Sequence, residues 1–155
     1  VNDFKKIIAL DTYHAGQLAA LHLEIDDPWE KPWSAQSYEE ILKLPTTCAY
    51  GIETSGGRII AFILTQMSEH EGEILFLMTQ KNFRKQGLAR LLLNHLIKTH
   101  KITDLFLDVC TDNKAARCFY EKEGFVPTGV RKNYYHAPSC SATWDAIQMG
   151  WKRFP

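Results

Sequence analysis

At 155 residues the chain is long enough to bury one hydrophobic core as a single domain over residues 1–155. Eighteen basic residues balance eighteen acidic ones, so no global field draws the protein to nucleic acid or to an anionic membrane. The composition, 45% hydrophobic and 23% charged, is ordinary for a globular domain, and no apolar run approaches the roughly 20 residues needed to cross a bilayer.

The start, Val1-Asn2-Asp3-Phe4-Lys5-Lys6, lacks a secretory charged-then-apolar signature. Phe4 to Leu10 is expected to form the first strand. Asp11 or Thr12 can cap a helix running to about Glu24, with Ala15, Leu18, Ala19, Leu21 and Leu23 available for its buried side. Prolines and tryptophans interrupt residues 26–33. Ser34 then caps a second helix, with Trp33 and Tyr38 at the two positions of a hydrophobic staple, ending near Leu44-Pro45. Strands are expected over Cys48 to Glu53 and Arg58 to Met67, joined through Thr54-Ser55-Gly56-Gly57.

Glu73 to Met78 is a short apolar run without helical spacing and reads as a buried strand. From Leu88 onward, Leu88, Leu91, Leu92, Leu96 and Ile97 fall on one face of a helix. Between the two lies Arg84-Lys85-Gln86-Gly87-Leu88-Ala89. A turn feeding a helix presents unpaired N–H groups backed by the positive end of the helix dipole, and so suits an anion, phosphate above all. Gly87 permits close approach, and Arg84 and Lys85 add charge. Spacing alone fits this reading and a basic surface loop equally well.

Thr103 to Cys110 alternates Leu105, Leu107 and Val109 against Phe106 and Asp108, as a strand does. Asp112 or Asn113 caps a helix from about Lys114 to Glu123, and Gly124-Phe125 supplies its stop. Two strands finish the chain, about Phe125 to Val130 and Trp144 to Trp151, separated by a Tyr134–Thr143 loop. The order βααβββαβαββ implies an α/β (α+β) domain with a mixed sheet and helices on its faces. Cys48, Cys110, Cys118 and Cys140 show no CxxC pair or zinc spacing and read as free thiols in a reducing cytoplasm. His14, His22, His70, His95, His100 and His136 form no triad or metal set. They read as surface or helix-end residues, with His95 and His100 at the cation-favouring end of their helix. No metal is expected.

Arg84, Gly87 and Ala89, set between a strand and a helix, resemble the phosphate turn Arg/Gln-x-x-Gly-x-Gly/Ala of the GNAT superfamily of acetyl-CoA-dependent N-acetyltransferases. Asn113, Ala116, Phe119, Tyr120 and Gly124-Phe125 resemble that superfamily's next block. Three further stretches, Pro32-Trp33-Ser34, residues 130–135 (VRKNYY) and Asp145-Ala146-Ile147-x-Met149, are similar to the bacterial ribosomal-protein-alanine N-acetyltransferases. The resemblance implies a mostly antiparallel sheet of about seven strands with helices on both faces.

It also implies acetyl-CoA as co-substrate. The Arg84, Lys85, Gln86, Gly87, Leu88 and Ala89 backbone would hold the pyrophosphate, and the main chain of Leu77, Met78 and Thr79 would receive the pantetheine arm. Asn113 is a helix cap first and a coenzyme contact second. Tyr120 is the implied general acid; a phenol near 10 and a thiol near 8.5 make its proton donation uphill by about 2 kcal/mol. Asp108 stands where the branch has glutamate as base, withdrawn by roughly 1.5 Å, and acts directly or through a water, or is a structural carboxylate. Trp29, Trp33, Tyr134 and Tyr135 could line the acceptor site, with Trp33 and Tyr134 the candidate contacts. The expected acceptor is a protein or peptide N-terminus, such as that of a ribosomal protein. Neither nucleic acid nor membrane is a partner, and the protein is a monomer or homodimer. The alternatives are a small-molecule amine or lysine acetyltransferase and a non-catalytic acyl-CoA-binding module.

Overall fold

A computed structural model describes residues 5–154. In chain order it contains β1 (Lys6–Ala9), α1 (Ala15–Leu23), α2 (Ala35–Leu42), β2 (Thr47–Glu53), β3 (Ile59–Ser68), β4 (Glu71–Thr79), α3 (Leu88–His100), β5 (Asp104–Cys110), α4 (Lys114–Lys122), β6 (Val126–His136) and β7 (Thr143–Lys152). The order is the one expected from sequence. Phe4, the expected start of β1, lies outside the described residues. Asp11 caps a short 3-10 turn that leads into α1, and the Ser34 side chain accepts the Ser37 N–H to start α2. The staple forms, with the Trp33 and Tyr38 rings 5.5 Å apart.

One seven-stranded sheet runs β1-β2-β3-β4-β5-β7-β6, antiparallel at every junction except β4–β5. The first seven residues of β3 are all buried, which requires cover on both faces. On one face Ala15, Leu18 and Leu21 of α1 and Tyr38 of α2 pack on Phe62, Leu64 and Met78. On the other, Leu88, Leu92, Leu93 and Leu96 of α3 and Tyr120 of α4 pack on Ile63, Ile74, Leu105, Leu107 and Val109.

Three expectations change here. Leu23, expected on the buried side of α1, is 72% exposed, because that helix turns its Leu18–His22 face inward. Leu91 is half exposed and Leu93 takes its place in the core; among consecutive leucines, the helix's tilt on the sheet selects which ones face inward. The hairpin is also longer than the expected strand from Phe125 to Val130. β6 continues to His136, leaving only residues 137–142 as the connection, so the Tyr134–Thr143 stretch is not a loop. Its irregularity is a bulge: Arg131 pairs with Ala146 and Tyr135 with Trp144, so three residues stand against Asp145. Asn133 turns the corner at φ 51°, and Asp145 fixes it by accepting the Asn133 N–H at 2.9 Å and Lys132 Nζ at 3.1 Å.

Candidate active site

The site begins where the sheet comes apart. β4 and β5 pair over only three positions, Glu71↔Asp104, Gly72↔Leu105 and Glu73↔Phe106. Just beyond, Leu75 is an extra residue against β3: Leu64 faces Phe76 and Thr65 faces Ile74. This bulge bends β4 away, and the strands part. The Gln80 N–H bonds to the Ile60 carbonyl at 2.8 Å. Because hydrogen bonding alternates along an antiparallel pair, Met78 then bonds toward β3, whereas Leu77 and Thr79 aim their main-chain groups into the opening. Of the three residues expected to line it with backbone, Leu77 and Thr79 direct main-chain groups away from β3 and Met78 directs its own toward β3.

The opening leads to the Arg84–Ala89 turn. Lys85 (φ 62°) and Gly87 (φ 78°) both adopt left-handed backbone, which draws successive N–H groups together. No side chain caps α3, and its first turn carries no acid. A Cβ on Gly87 would meet nothing within 4 Å, so the space above the helix start is open. Arg84 Nε donates to the Thr79 carbonyl at 3.2 Å, tying the turn to the mouth of the opening. Gln86 accepts from Lys5 Nζ at 2.7 Å. Leu88 is buried in the core and offers only its backbone. Uncapped donors, added positive charge and open space suit a phosphate group. Asn113 caps α4, its Oδ1 accepting the Ala116 N–H at 3.2 Å, which leaves its amide nitrogen without a role in the cap.

Tyr120 lies on α4 with its ring edge-on to Phe119 (5.3 Å) and Phe125 (5.2 Å), and is 7% exposed. The expected stop forms beneath it: Gly124 takes φ 94°, and the Phe125 N–H bonds to the Tyr120 carbonyl at 2.9 Å. Among the described residues its hydroxyl has no hydrogen-bond partner. Burial pushes the phenol well above its usual range, so the proton is held more tightly than in the free side chain assumed from sequence.

Asp108 lies on the face of β5 opposite Leu107 and Val109, which pack with Tyr120. Asp108 and Tyr120 therefore stand on opposite sides of the sheet, and chemistry using both must pass where the sheet is open. Arg131 Nε donates to Asp108 Oδ1 at 3.3 Å, and the Tyr135 hydroxyl donates to the Asp108 carbonyl at 3.3 Å. Burial, then the Asp108 charge, raises the Tyr135 phenol. The bulge in β6 delivers both groups. Tyr134 is 47% exposed, beneath the Arg131 guanidinium at 5.6 Å and edge-on to Tyr135 at 5.1 Å. Trp33 is placed differently. It packs on Tyr38 and, at 4.9 Å, on Phe76, as a wall of the α1–α2 layer.

Sequence reasoning offered Tyr135 for the acceptor site but missed that it and Arg131 meet Asp108, and two histidines that do lie in the last turns of their helices play parts it did not foresee. His22 is fully buried. Its position one turn beyond Leu18 and beside Leu21 on the inner face of α1 was the available signal. His100 does not serve as a helix-end cation: Cys48 Sγ and the Tyr50 hydroxyl meet its Nε2 at 2.9 and 2.8 Å, and burial, with His95 nearby, lowers its pKa. All four cysteines are free.

The pattern of the Acetyltransferase (GNAT) family matches residues 18–125. The ribosomal protein bS18-alanine N-acetyltransferase of Salmonella typhimurium is 34% identical over 126 residues, 79% of each chain. That of Escherichia coli strain K12 is 33% identical over 138 residues, 84% of this chain and 87% of the relative. The crystal structure of the ribosomal-protein-S18-alanine N-acetyltransferase from Escherichia coli superposes with a TM-score of 0.84 at 26% identity, covering 96% of this chain and 94% of that one. Arabidopsis thaliana NAA60 in complex with a bisubstrate analogue shares the fold, with a TM-score of 0.81 at 15% identity over 96% and 98% of the two chains. The chain belongs to the GNAT family. It is an N-acetyltransferase.

Proposed function

We propose that the protein transfers the acetyl group of acetyl-CoA directly to the N-terminal α-amine of a protein, with both substrates bound at once. The observation that carries the donor side is the continuity of the β4–β5 opening with the uncapped start of α3. The Arg84, Lys85, Gln86, Gly87, Leu88 and Ala89 turn holds the pyrophosphate, and Leu77 and Thr79 take the pantetheine arm as a strand would take a neighbour. Bound there, acetyl-CoA supplies an activated acetyl thioester. Asn113 adds its amide nitrogen.

Tyr120 keeps its proton until negative charge develops on the departing sulfur, then donates it. Asp108, held by Arg131, relieves the acceptor amine of its proton through a water, since its side chain is short for direct reach. Tyr134 lies on the acceptor side, and Trp33 shapes the wall behind it. Titration favours an α-amine: near 7.7–8.0, roughly a tenth is neutral at pH 7, against well under about one lysine in a thousand. A modest base suffices for the first. The relatives named for ribosomal protein bS18 support a ribosomal protein as acceptor, and the cytoplasm is the location that goes with such an acceptor.

The test is thiol release from acetyl-CoA with a panel of amines: peptides beginning with alanine and other residues, a polyamine, and an internal lysine peptide. Release with the alanine peptide is expected. Activity on the polyamine alone overturns the acceptor assignment, and no release with any amine overturns the whole reading.

A further inference from the structure

A carboxylate on the α1–α2 segment stands without a cation where others in this chain have one. Asp108 has Arg131, Asp145 has Lys132, and Glu123 has Arg90. Glu30 is 20% exposed at its side chain, and among the described residues the only ion-pair or hydrogen-bond partner of its carboxylate is His22 Nε2, at 2.7 Å.

His22 cannot supply the missing charge while its other contacts stand. Its Nδ1 faces the Trp33 N–H at 3.1 Å, which can only donate, and the Tyr38 hydroxyl at 2.8 Å. These partners assign Nδ1 as acceptor and put the ring proton on Nε2, directed at Glu30. A carboxylate largely out of water with a single N–H donor retains unfilled acceptor capacity and an unbalanced charge.

Its location says what fills it. His22 packs on Phe76, on β4 just past the bulge, at 4.9 Å. On the far side, Trp29 packs on Trp144 of β7 at 6.1 Å. The Glu30 charge is felt at Tyr135, whose hydroxyl bonds to the Asp108 carbonyl. The segment that carries Glu30 thus runs from Phe76 of β4, on one side of the opening, to Trp144 of β7, beyond β5 on the other. Asp108 is less able to bind a cation, because Arg131 already neutralises it and would repel a second positive group.

We infer that Glu30, set in place by His22, is the acceptor-site carboxylate that receives the α-ammonium of the incoming N-terminus. This rests on the N-terminal acetyltransferase reading. Glu30 is a binding residue for the charged acceptor; His22 is its positioning residue.

The experiment compares wild type with Glu30→Gln, which keeps an oxygen for the His22 N–H and removes the charge. Two ligands are used: a peptide beginning with alanine, and its analogue with the α-amine replaced by hydrogen, as a competitive inhibitor. In wild type the amine peptide is expected to bind about tenfold or more tightly than the analogue. In Glu30→Gln the peptide KM rises about tenfold, the analogue's Ki is unchanged, and kcat and coenzyme A affinity stay within about threefold. Glu30→Asp, which retains the charge, recovers part of the KM. A wild type that binds both ligands equally, or a Glu30→Gln enzyme with unaltered peptide KM, overturns the assignment of Glu30 alone. A wild type that acetylates no peptide overturns the acceptor reading beneath it.

Discussion

Arg131 reaches across from β6 to donate its Nε to Asp108 Oδ1 at 3.3 Å, a contact made by the bulge that sets three residues of β6 against Asp145. The pair places a carboxylate at the edge of the opening with one oxygen engaged. General bases contribute about 10²–10⁴ in rate, and one working through a water falls toward the lower end. Asp108→Asn is expected to lower kcat about 10²-fold while coenzyme A affinity by calorimetry is unchanged. Wild-type kcat in that variant would remove Asp108 from the chemistry.

Tyr120 gives a paired measurement. A tyrosine hydroxyl that bonds within the fold is normally missed when removed, at about 0.5–1.5 kcal/mol. Among the described residues this one bonds to nothing, so Tyr120→Phe is expected to keep or raise the unfolding midpoint while kcat falls about 10²-fold or more. A stable variant with full turnover would mark Tyr120 as packing alone.

Gly87 sits at φ 78° with open space around its Cβ position. Alanine there clashes with nothing beyond its own backbone, so the cost is conformational, about 1–2 kcal/mol. Gly87→Ala is expected to lower the midpoint by roughly 2–8 °C and to weaken coenzyme A binding more than tenfold, read by calorimetry. A loss of stability without a loss of affinity would separate the turn from the ligand.

His100 predicts an acid dependence of stability. Burial holds its folded-state pKa below the unfolded value of about 6.5, so in that window the unfolded chain binds more protons. Stability is therefore expected to be complete above about pH 6.5 and to decline as pH falls toward the lowered value. Denaturant midpoints at several pH values between about 5 and 7.5 should show this slope flattened in His100→Gln.

The element order and the Arg84–Ala89 turn were legible because each depends on neighbours in sequence. Caps at Ser34 and Asn113, the stop at Gly124-Phe125 and the alternation in β5 are all local. The bulge in β6 was not, because the residue that stabilises it, Asp145, lies twelve positions beyond Asn133 on the neighbouring strand. Without the bulge there was no way to see Arg131 and Tyr135 turning onto Asp108. The choice of Leu93 over Leu91 likewise depends on how α3 lies across the sheet. His22 differs: its burial was written in the spacing of α1.

Where β4 and β5 part, the sheet acquires two interior edges in addition to its outer ones, and bare edges are where proteins aggregate by accepting a foreign strand. Here the exposed length is brief, from Ile74 to Thr79, and the bulge at Leu75 spoils the straight register that a polypeptide needs. A thin, flexible chain with amide groups can enter; a flat β-strand cannot zip along it. Amide exchange should show the distinction in the free protein, with the Leu77 and Thr79 N–H groups exchanging faster than that of Met78. The opening is thus too short and too crooked to serve as an aggregation template.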